Sequence, residues 1–320
     1  MALNDFPLWF LRVFALALGL VWGSFLNVVI YRTPRGMSVV HPGSRCPGCG
    51  TAIRAWDNIP VFGYVLLRGR ARCCKAKLSP RYPLVEAIGG MLSLAIVEMI
   101  VFRMPASTSI GRALAVYTAN LALALALVAA AFIDLEHMYV PDAVTFGGAV
   151  LGVVTCSFRS MAFGEALLGA AVGFLVVWIP FDLLYRRIRG RVGMALGDAK
   201  LVMLAGAWFG WEGALSVLGA GAVQGTIATI GMLLVRGKIE EPEAVRLERE
   251  EIRAELAAMS PEERQKAEKE LALDPLFADE PGESVGLARV AFGPFLVLAA
   301  LECLIFGSDL GRLVTQWLEV

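Results

Sequence analysis

The feature that most constrains this chain is a succession of apolar runs, each about the 17–25 residues that carry an α-helix across a hydrocarbon core of about 30 Å. They lie near 7–30, 83–103, 113–133, 142–158, 166–184, 196–211, 213–235 and 287–307. Backbone in lipid must satisfy its own hydrogen bonds, so runs of this kind predict helices. The expected fold class is therefore all-α, a polytopic membrane helix bundle of about eight transmembrane helices. Composition agrees, since 57% hydrophobic against 18% charged residues lies outside the balance of a soluble domain. Formal net charge is zero, so no basic excess points to nucleic acid. The first run follows Asp5 and lacks a small-residue cleavage site, which predicts a retained span.

Orientation follows from where Lys and Arg collect, because basic loops stay cytoplasmic. The loop after the first span carries Arg32, Arg35, Arg45, Arg54, Arg68, Arg70, Arg72, Lys75, Lys77 and Arg81, whereas the next offers little beyond Arg103 and Arg112. Loops 32–82, 134–141, 185–197 and 236–286 are then cytoplasmic. The expected divisions are a first span in 1–31, a cytoplasmic cysteine-containing domain in 32–82, a membrane core in 83–235, a charged helical insert in 236–286 and a last span with the C-terminus in 287–320. In the insert, Val245, Ile252, Leu256 and Met259 recur at helical spacing, and Ser260-Pro261-Glu262-Glu263 reads as an N-cap, a first-turn Pro and a capping-box Glu. A solvated packing or partner role is the simpler reading of the insert. Glycine pairs four apart (Gly19/Gly23, Gly148/Gly152, Gly169/Gly173, Gly206/Gly210) read as helix-packing sites.

Ionisable residues at the ends of membrane helices are costly, so each is a functional candidate. One cluster runs from Phe132-Ile133-Asp134 through Glu136, His137 and Pro141-Asp142, and the other is Gly197-Asp198-Ala199-Lys200. Two carboxylates a few Å apart cannot both ionise easily, and the proton they share is what an aspartyl protease uses on water and on the departing amine. Asp134 and Asp198 are candidates for that dyad. The alternative is two interface carboxylates paired with Arg186, Arg187 or Lys200. Gly197 beside Asp198 predicts a close approach by substrate or a neighbouring helix. From helix dipoles alone, Asp134 at a C-terminal end would be the acid and Asp198 at an N-terminal end the base. His41 and His137 are the only histidines, and no His-Glu-x-x-His zinc site exists. Gly282-Glu283-Ser284-Val285-Gly286 matches a nucleophile elbow but sits in a polar linker, so chance explains it.

Cys46-Pro47-Gly48-Cys49 followed by Cys73-Cys74 has roughly the spacing of a zinc knuckle in a reducing compartment. Adjacent cysteines strain to share one tetrahedral ion, so Cys74 with either Cys73 or His41 would complete the set. Cys156 and Cys303 lie inside spans and read as packing residues.

Taken in order, Gly23-Ser24-Phe25-Leu26-Asn27, Arg45-Cys46-Pro47-x-Cys49, Asp57-Asn58-Ile59-Pro60, Arg81-Tyr82-Pro83-Leu84-Val85-Glu86, Phe132-Ile133-Asp134, Pro141-Asp142, Gly197-Asp198-x-Lys200 and Phe292-Gly293-Pro294-Phe295 resemble the bacterial prepilin peptidases, the type IV prepilin leader peptidase/N-methyltransferases. The resemblance covers nearly the whole chain outside 236–286. It implies a bifunctional inner-membrane enzyme, multi-pass, with its active site at the cytoplasmic face. Such an enzyme removes the basic leader of type IV prepilins or type II secretion pseudopilins after a Gly, then methylates the new amine from S-adenosylmethionine. Asp134 and Asp198 would be catalytic, and Glu136 and Asp142 would receive the leader's cations. Cys46, Cys49, Cys73 and Cys74 are the candidate zinc ligands, and Gly69 is a candidate turn at the methyl-donor site. A loop of about 50 residues cannot house a Rossmann domain, so that site would be unconventional. Membrane lipid and prepilin substrates are the expected partners. Two departures stand out: Ala195 replaces the first Gly of the family's Gly-x-Gly-Asp, and Ala71 stands where the second Cys-x-x-Cys would begin. A peptidase without methyltransferase activity, or a transporter or scaffold with an ion path through its buried charges, are the alternatives.

Overall fold

The computed structural model describes residues 5–189, 194–236, 242–271 and 290–318, which are largely helical, with no sheet among them beyond two isolated β-bridges. The Gly-x-Ser-x-Gly match at 282–286 lies outside these residues. In chain order the helices are α1 (Leu8–Arg32), a short α2 (Phe62–Leu66), α3 (Arg81–Ile96), α4 (Ile110–His137), α5 (Asp142–Val154), α6 (Phe163–Val177), α7 (Tyr185–Arg189), α8 (Leu196–Arg236), α9 (Glu243–Ala258), α10 (Pro261–Leu271) and α11 (Gly293–Leu318). Five segments are long and apolar enough to cross a membrane: Leu8–Arg35, Arg81–Val101, Ile110–His137, Phe163–Ile188 and Leu196–Val235. Asp142–Val154 and Gly293–Gly307 are shorter apolar helices. Within α8 the backbone leaves helical geometry at Gly210 (φ 73°, ψ −178°), a left-handed conformation that glycine adopts without the Cβ penalty. The break falls where the sequence predicts a turn between its sixth and seventh spans, so the two arms of α8 supply both.

The chain divides into two units, 1–129 with 304–320, and 130–303. In the first, α1 lies against α3 through small residues. A Cβ on Gly23 would stand 2.9 Å from the Glu86 backbone, and Gly19 abuts Gly89, Gly90 and Ser93. Without a hydrophobic driving force in lipid, such backbone proximity and the hydrogen bonds it permits hold helices together. Ser93 Oγ donates to the Ala15 carbonyl, and it also lies 2.7 Å from the Tyr117 hydroxyl. Asn27 Nδ2 donates to the Tyr82 carbonyl at 3.1 Å, fastening the far end of α1 to the start of α3. Arg32, in the last turn of α1, is buried and donates to the Ser38 and Pro42 carbonyls at 2.8 and 2.7 Å, so the chain leaves the helix already folded back on it.

In the second unit, α6 and the first arm of α8 meet through glycine on both sides. A Cβ on Gly206 would run into the Gly169 carbonyl, and one on Gly173 into Val202. Gly152 of α5 makes room for Trp208, whose Nε1 donates to the Gly148 carbonyl at 2.8 Å. Arg159 covers the ends of both helices, donating to the Gly152 and Ala207 carbonyls and stacking 4.2 Å from the Trp208 ring centre. A cation satisfying exposed carbonyls at helix C-termini is favourable both as a hydrogen-bond donor and toward the dipole. α9 and α10 form the expected helical insert. Ser260 N–H and Oγ both donate to Glu263 Oε2, at 3.3 and 2.6 Å, which supplies the Glu half of the capping box read from the sequence.

Candidate active site

Asp134 lies in the last turn of α4 and Asp198 in the first turn of α8, both in the second unit. Each is about nine-tenths buried, 6% and 7% exposed. A side chain at Gly293 would meet both helices, 2.6 Å from Asp134 Oδ2 and 3.4 Å from Leu201 Cδ1, and Leu201 shares a face of α8 with Asp198 three residues before it. Two cations that might have neutralised the two carboxylates are engaged elsewhere. Lys200 Nζ lies 2.6 Å from Asp142 Oδ1 and 5.3 Å from the Phe146 ring centre, and Arg186 Nη2 pairs with Asp182 at 2.6 Å. Helix geometry explains the Lys200 arrangement, because residues two apart on α8 do not face each other. Asp198 and Lys200 therefore address different neighbours.

Gly197 does not provide the close approach expected of it toward the chain's own helices. A Cβ there would meet Val140 at 3.4 Å, an ordinary contact. The close approach is at Gly293, the first residue of α11. A Cβ on it would stand only 2.6 Å from Asp134 Oδ2. A third helix end thus reaches the dyad. The split of acid and base drawn from the dipoles of α4 and α8 alone omits this N-terminus, which faces Asp134 with its own positive end. Gly293 was visible in the sequence only as part of Phe-Gly-Pro-Phe, 95 residues beyond Asp198, with no role attached.

Of the residues expected to receive a basic leader, Asp142 is held by Lys200 yet leaves its side chain 64% exposed, and Glu136 is half-buried near the end of α4.

In the first unit the four cysteines converge. One sulfur from each of Cys46, Cys49, Cys73 and Cys74 lies within 4.8 Å of the others, with 3.6 Å between Cys46 and Cys74 and 3.2 Å between Cys49 and Cys73. A tetrahedral ion with Zn–S bonds of about 2.3 Å requires sulfurs about 3.8 Å apart, so the set fits such an ion with little adjustment. Both adjacent cysteines take part, and His41 is not in the group. Bonding to Thr51 holds the Cys49 thiol down at about 6, while the facing Cys49 and Cys46 sulfurs push Cys73 up to about 12. Arg72, between the second knuckle's residues, makes a two-pronged bond to Asp57 (Nε to Oδ2 2.9 Å, Nη2 to Oδ1 2.7 Å), which holds that carboxyl below the usual range. Glu86 of α3 accepts the Val61 N–H at 2.6 Å. Together these bonds fasten the Asp57–Val61 stretch to the knuckle on one side and to the α3 helix on the other.

Gly69 has φ +67° and closes a turn in which its N–H bonds the Tyr64 carbonyl at 3.0 Å. A Cβ there would stand 2.9 Å from the Tyr64 hydroxyl. The turn by itself accounts for glycine at this position.

Comparison with known proteins places these two sites in separate family regions. The description "Bacterial Peptidase A24 N-terminal domain" fits residues 17–100, which hold the cysteines, and "Type IV leader peptidase family" fits 121–230, which hold Asp134 and Asp198. A protein of Myxococcus xanthus named prepilin leader peptidase/N-methyltransferase is 35% identical over 94% of this chain and 92% of its own length. Proteins with the same name from Stutzerimonas stutzeri and Pseudomonas putida are 35% and 36% identical, over 71% and 72% of this chain and 83% of their own lengths. No solved structure matches the chain.

Proposed function

The chain belongs to the type IV leader peptidase family, and on that premise we propose that it cleaves the basic leader from type IV prepilins or type II secretion pseudopilins and N-methylates the residue exposed. The observation that carries the reading is the burial of Asp134 and Asp198 at two helix ends of the same unit, with Lys200 and Arg186 drawn off to other carboxylates. Such a pair holds one proton between two oxygens. One carboxylate takes a proton from water as the water oxygen attacks the scissile carbonyl carbon, and the other gives its proton to the carbonyl oxygen. Collapse of the resulting diol breaks the C–N bond and delivers a proton to the departing amine. Which carboxylate begins protonated is a property of the pair.

A prepilin presents a cationic leader on one side of the membrane surface and an apolar helix in the bilayer, so its scissile bond falls where α4 ends and α8 begins. The side proposed for this edge is the cytoplasmic face of a bacterial inner membrane, a reading supported by the Lys and Arg collected in loop 32–82. Glu136 and the exposed face of Asp142 are the acidic contacts proposed for the leader. For methylation, S-adenosylmethionine would supply an electrophilic methyl group. The chain's part is to hold the new amine, and the proposed region is the 32–82 loop with its Gly69 turn. Zinc held by Cys46, Cys49, Cys73 and Cys74 would lock that loop, which is otherwise too short for a hydrophobic core of its own.

The test uses purified protein in nanodiscs with a synthetic prepilin and S-adenosylmethionine, reading product masses for the wild type, Asp134→Asn and Asp198→Asn. The reading expects no cleavage from either variant and a wild-type product heavier by about 14 Da for one methyl group. Cleavage without the added mass would leave a peptidase alone. Cleavage surviving both substitutions would return the buried charges to a transport role.

A further inference from the structure

The two cysteine segments are one fold repeated. In the first, Arg45 and Ala52 form a β-bridge, Cys46 N–H bonds the Thr51 carbonyl at 2.8 Å, Gly50 N–H bonds the Cys46 carbonyl at 2.8 Å, and Gly50 has φ +70°. In the second, Arg70 and Lys77 form the bridge, Ala71 N–H bonds the Ala76 carbonyl at 2.9 Å, Lys75 N–H bonds the Ala71 carbonyl at 3.0 Å, and Lys75 has φ +60°. Every correspondence is an offset of 25 residues: 45 to 70, 46 to 71, 50 to 75, 51 to 76, 52 to 77. Cys49 then corresponds to Cys74, and Cys46 to Ala71, which is buried like it, 6% against 4% exposed. The slot for the fourth sulfur holds a methyl group.

Cys73 corresponds to Gly48, and that explains how it reaches the cluster. A Cβ on Gly48 would point across to the opposite knuckle, 3.3 Å from Cys74 Sγ. By the same relation a side chain at 73 points toward Cys49, and Cys73 Sγ does lie 3.2 Å from Cys49 Sγ. Resting on the reading that the cluster holds a soft divalent ion such as zinc, we infer that Cys73 is its fourth ligand in place of a thiol at 71, delivered from the opposite side of the pseudo-twofold arrangement, and that position 71 remains a competent ligand slot. The ligand has moved by two residues while the knuckle backbone has stayed in register. A residue with φ +60° at 75 supports this, since Lys there keeps the turn of Gly50 at a steric disadvantage.

The experiment titrates Co²⁺ into the metal-stripped full chain in detergent, following thiolate-to-cobalt absorption, with bound zinc measured separately as purified. Wild type is compared with Cys73→Ser, Ala71→Cys/Cys73→Ala and Cys46→Ser, each checked for monodispersity. The inference expects wild type to bind one ion, Cys73→Ser to bind at least tenfold more weakly with altered absorption, and the double variant to regain wild-type affinity or exceed it. Unchanged affinity in Cys73→Ser, or a monodisperse double variant no better than Cys73→Ser, would overturn it. Binding by the double variant alone would remove Cys73 as a ligand and leave the metal reading standing. Binding by neither would sink the metal reading and the inference with it.

Discussion

Gly293→Ala is the most direct probe of how the dyad is held. The added Cβ would stand 2.6 Å from Asp134 Oδ2 and 3.1 Å from its Cγ, where ordinary contact begins at 3.4 Å. Either the carboxylate or the start of α11 must give by 3.4 − 2.6, about 0.8 Å. A displacement of about 1 Å at reacting groups costs about 10²-fold in rate, or about 2.7 kcal/mol of barrier. The loss should fall on kcat with KM little changed, because the group that moves acts on the transition state and not on the leader. Cleavage of a synthetic prepilin in nanodiscs measures both constants, with thermal unfolding as the check on folding. Gly219→Ala is the control: nothing lies within 4 Å of its Cβ position, and alanine favours a helix interior. A Gly293→Ala enzyme within about threefold of wild-type kcat, or one impaired only in KM, would refute the claim that this glycine positions Asp134.

Asp142→Asn distinguishes a leader contact from a helix tie: loss of uniform binding raises KM alone, whereas release of Lys200 beside the dyad lowers kcat, and Lys200→Met should then restore part of it. Gly69→Ala forces an L-residue to φ +67° against Tyr64, so methyl incorporation should fall at least tenfold while cleavage persists; equal loss of both activities would disconnect the turn from methylation. The Asp57–Arg72 bond supplies the pH dependence. Because Asp57's carboxyl is held below its ordinary value of about 3.9, its contribution is complete above that pH and is lost only as pH falls through the lowered value. The protection of loop 32–82 that Asp57 contributes should therefore be constant from about pH 5 to 8, so Asp57→Asn should speed limited proteolysis by the same factor throughout that range. An unchanged rate in that variant at pH 7 would count against the strap.

The sequence makes legible what depends on residue type and spacing. Apolar length predicts the spans, and the break at Gly210 falls within the Gly-Trp-Glu-Gly turn between two of them. Costly carboxylates at helix ends single out Asp134 and Asp198, and Ser260 with Glu263 signals its own cap. What the sequence hides is set by contacts between distant segments. Gly293 meets Asp134 across more than 150 residues, and no local pattern distinguishes a glycine needed for a carboxylate's space from one needed for helix packing. Lys200 stands two residues from Asp198, which invites a pairing that helix geometry disfavours and Asp142 takes instead. The second knuckle is concealed because its turn residue is Lys75 where the first has Gly50, and because its first cysteine is absent.

These hidden contacts share a physical logic. A carboxylate pair in a bilayer needs enclosure, yet each residue that encloses it is a potential neutralising or crowding group. The second unit meets the first demand with backbone in place of side chains: glycines at 169, 173 and 206 draw α6 onto α8, and Gly293 brings the start of α11 to Asp134. It meets the second by giving Lys200, two residues from Asp198, a carboxylate of its own at Asp142. A cation left unpaired at this site would bind the two carboxylates and favour both being charged, removing the shared proton that the proposed chemistry requires. The consequence is that a new Lys or Arg facing Asp134 or Asp198 should abolish cleavage even where it improves stability. Substitutions that merely loosen the Lys200–Asp142 pair should have graded effects.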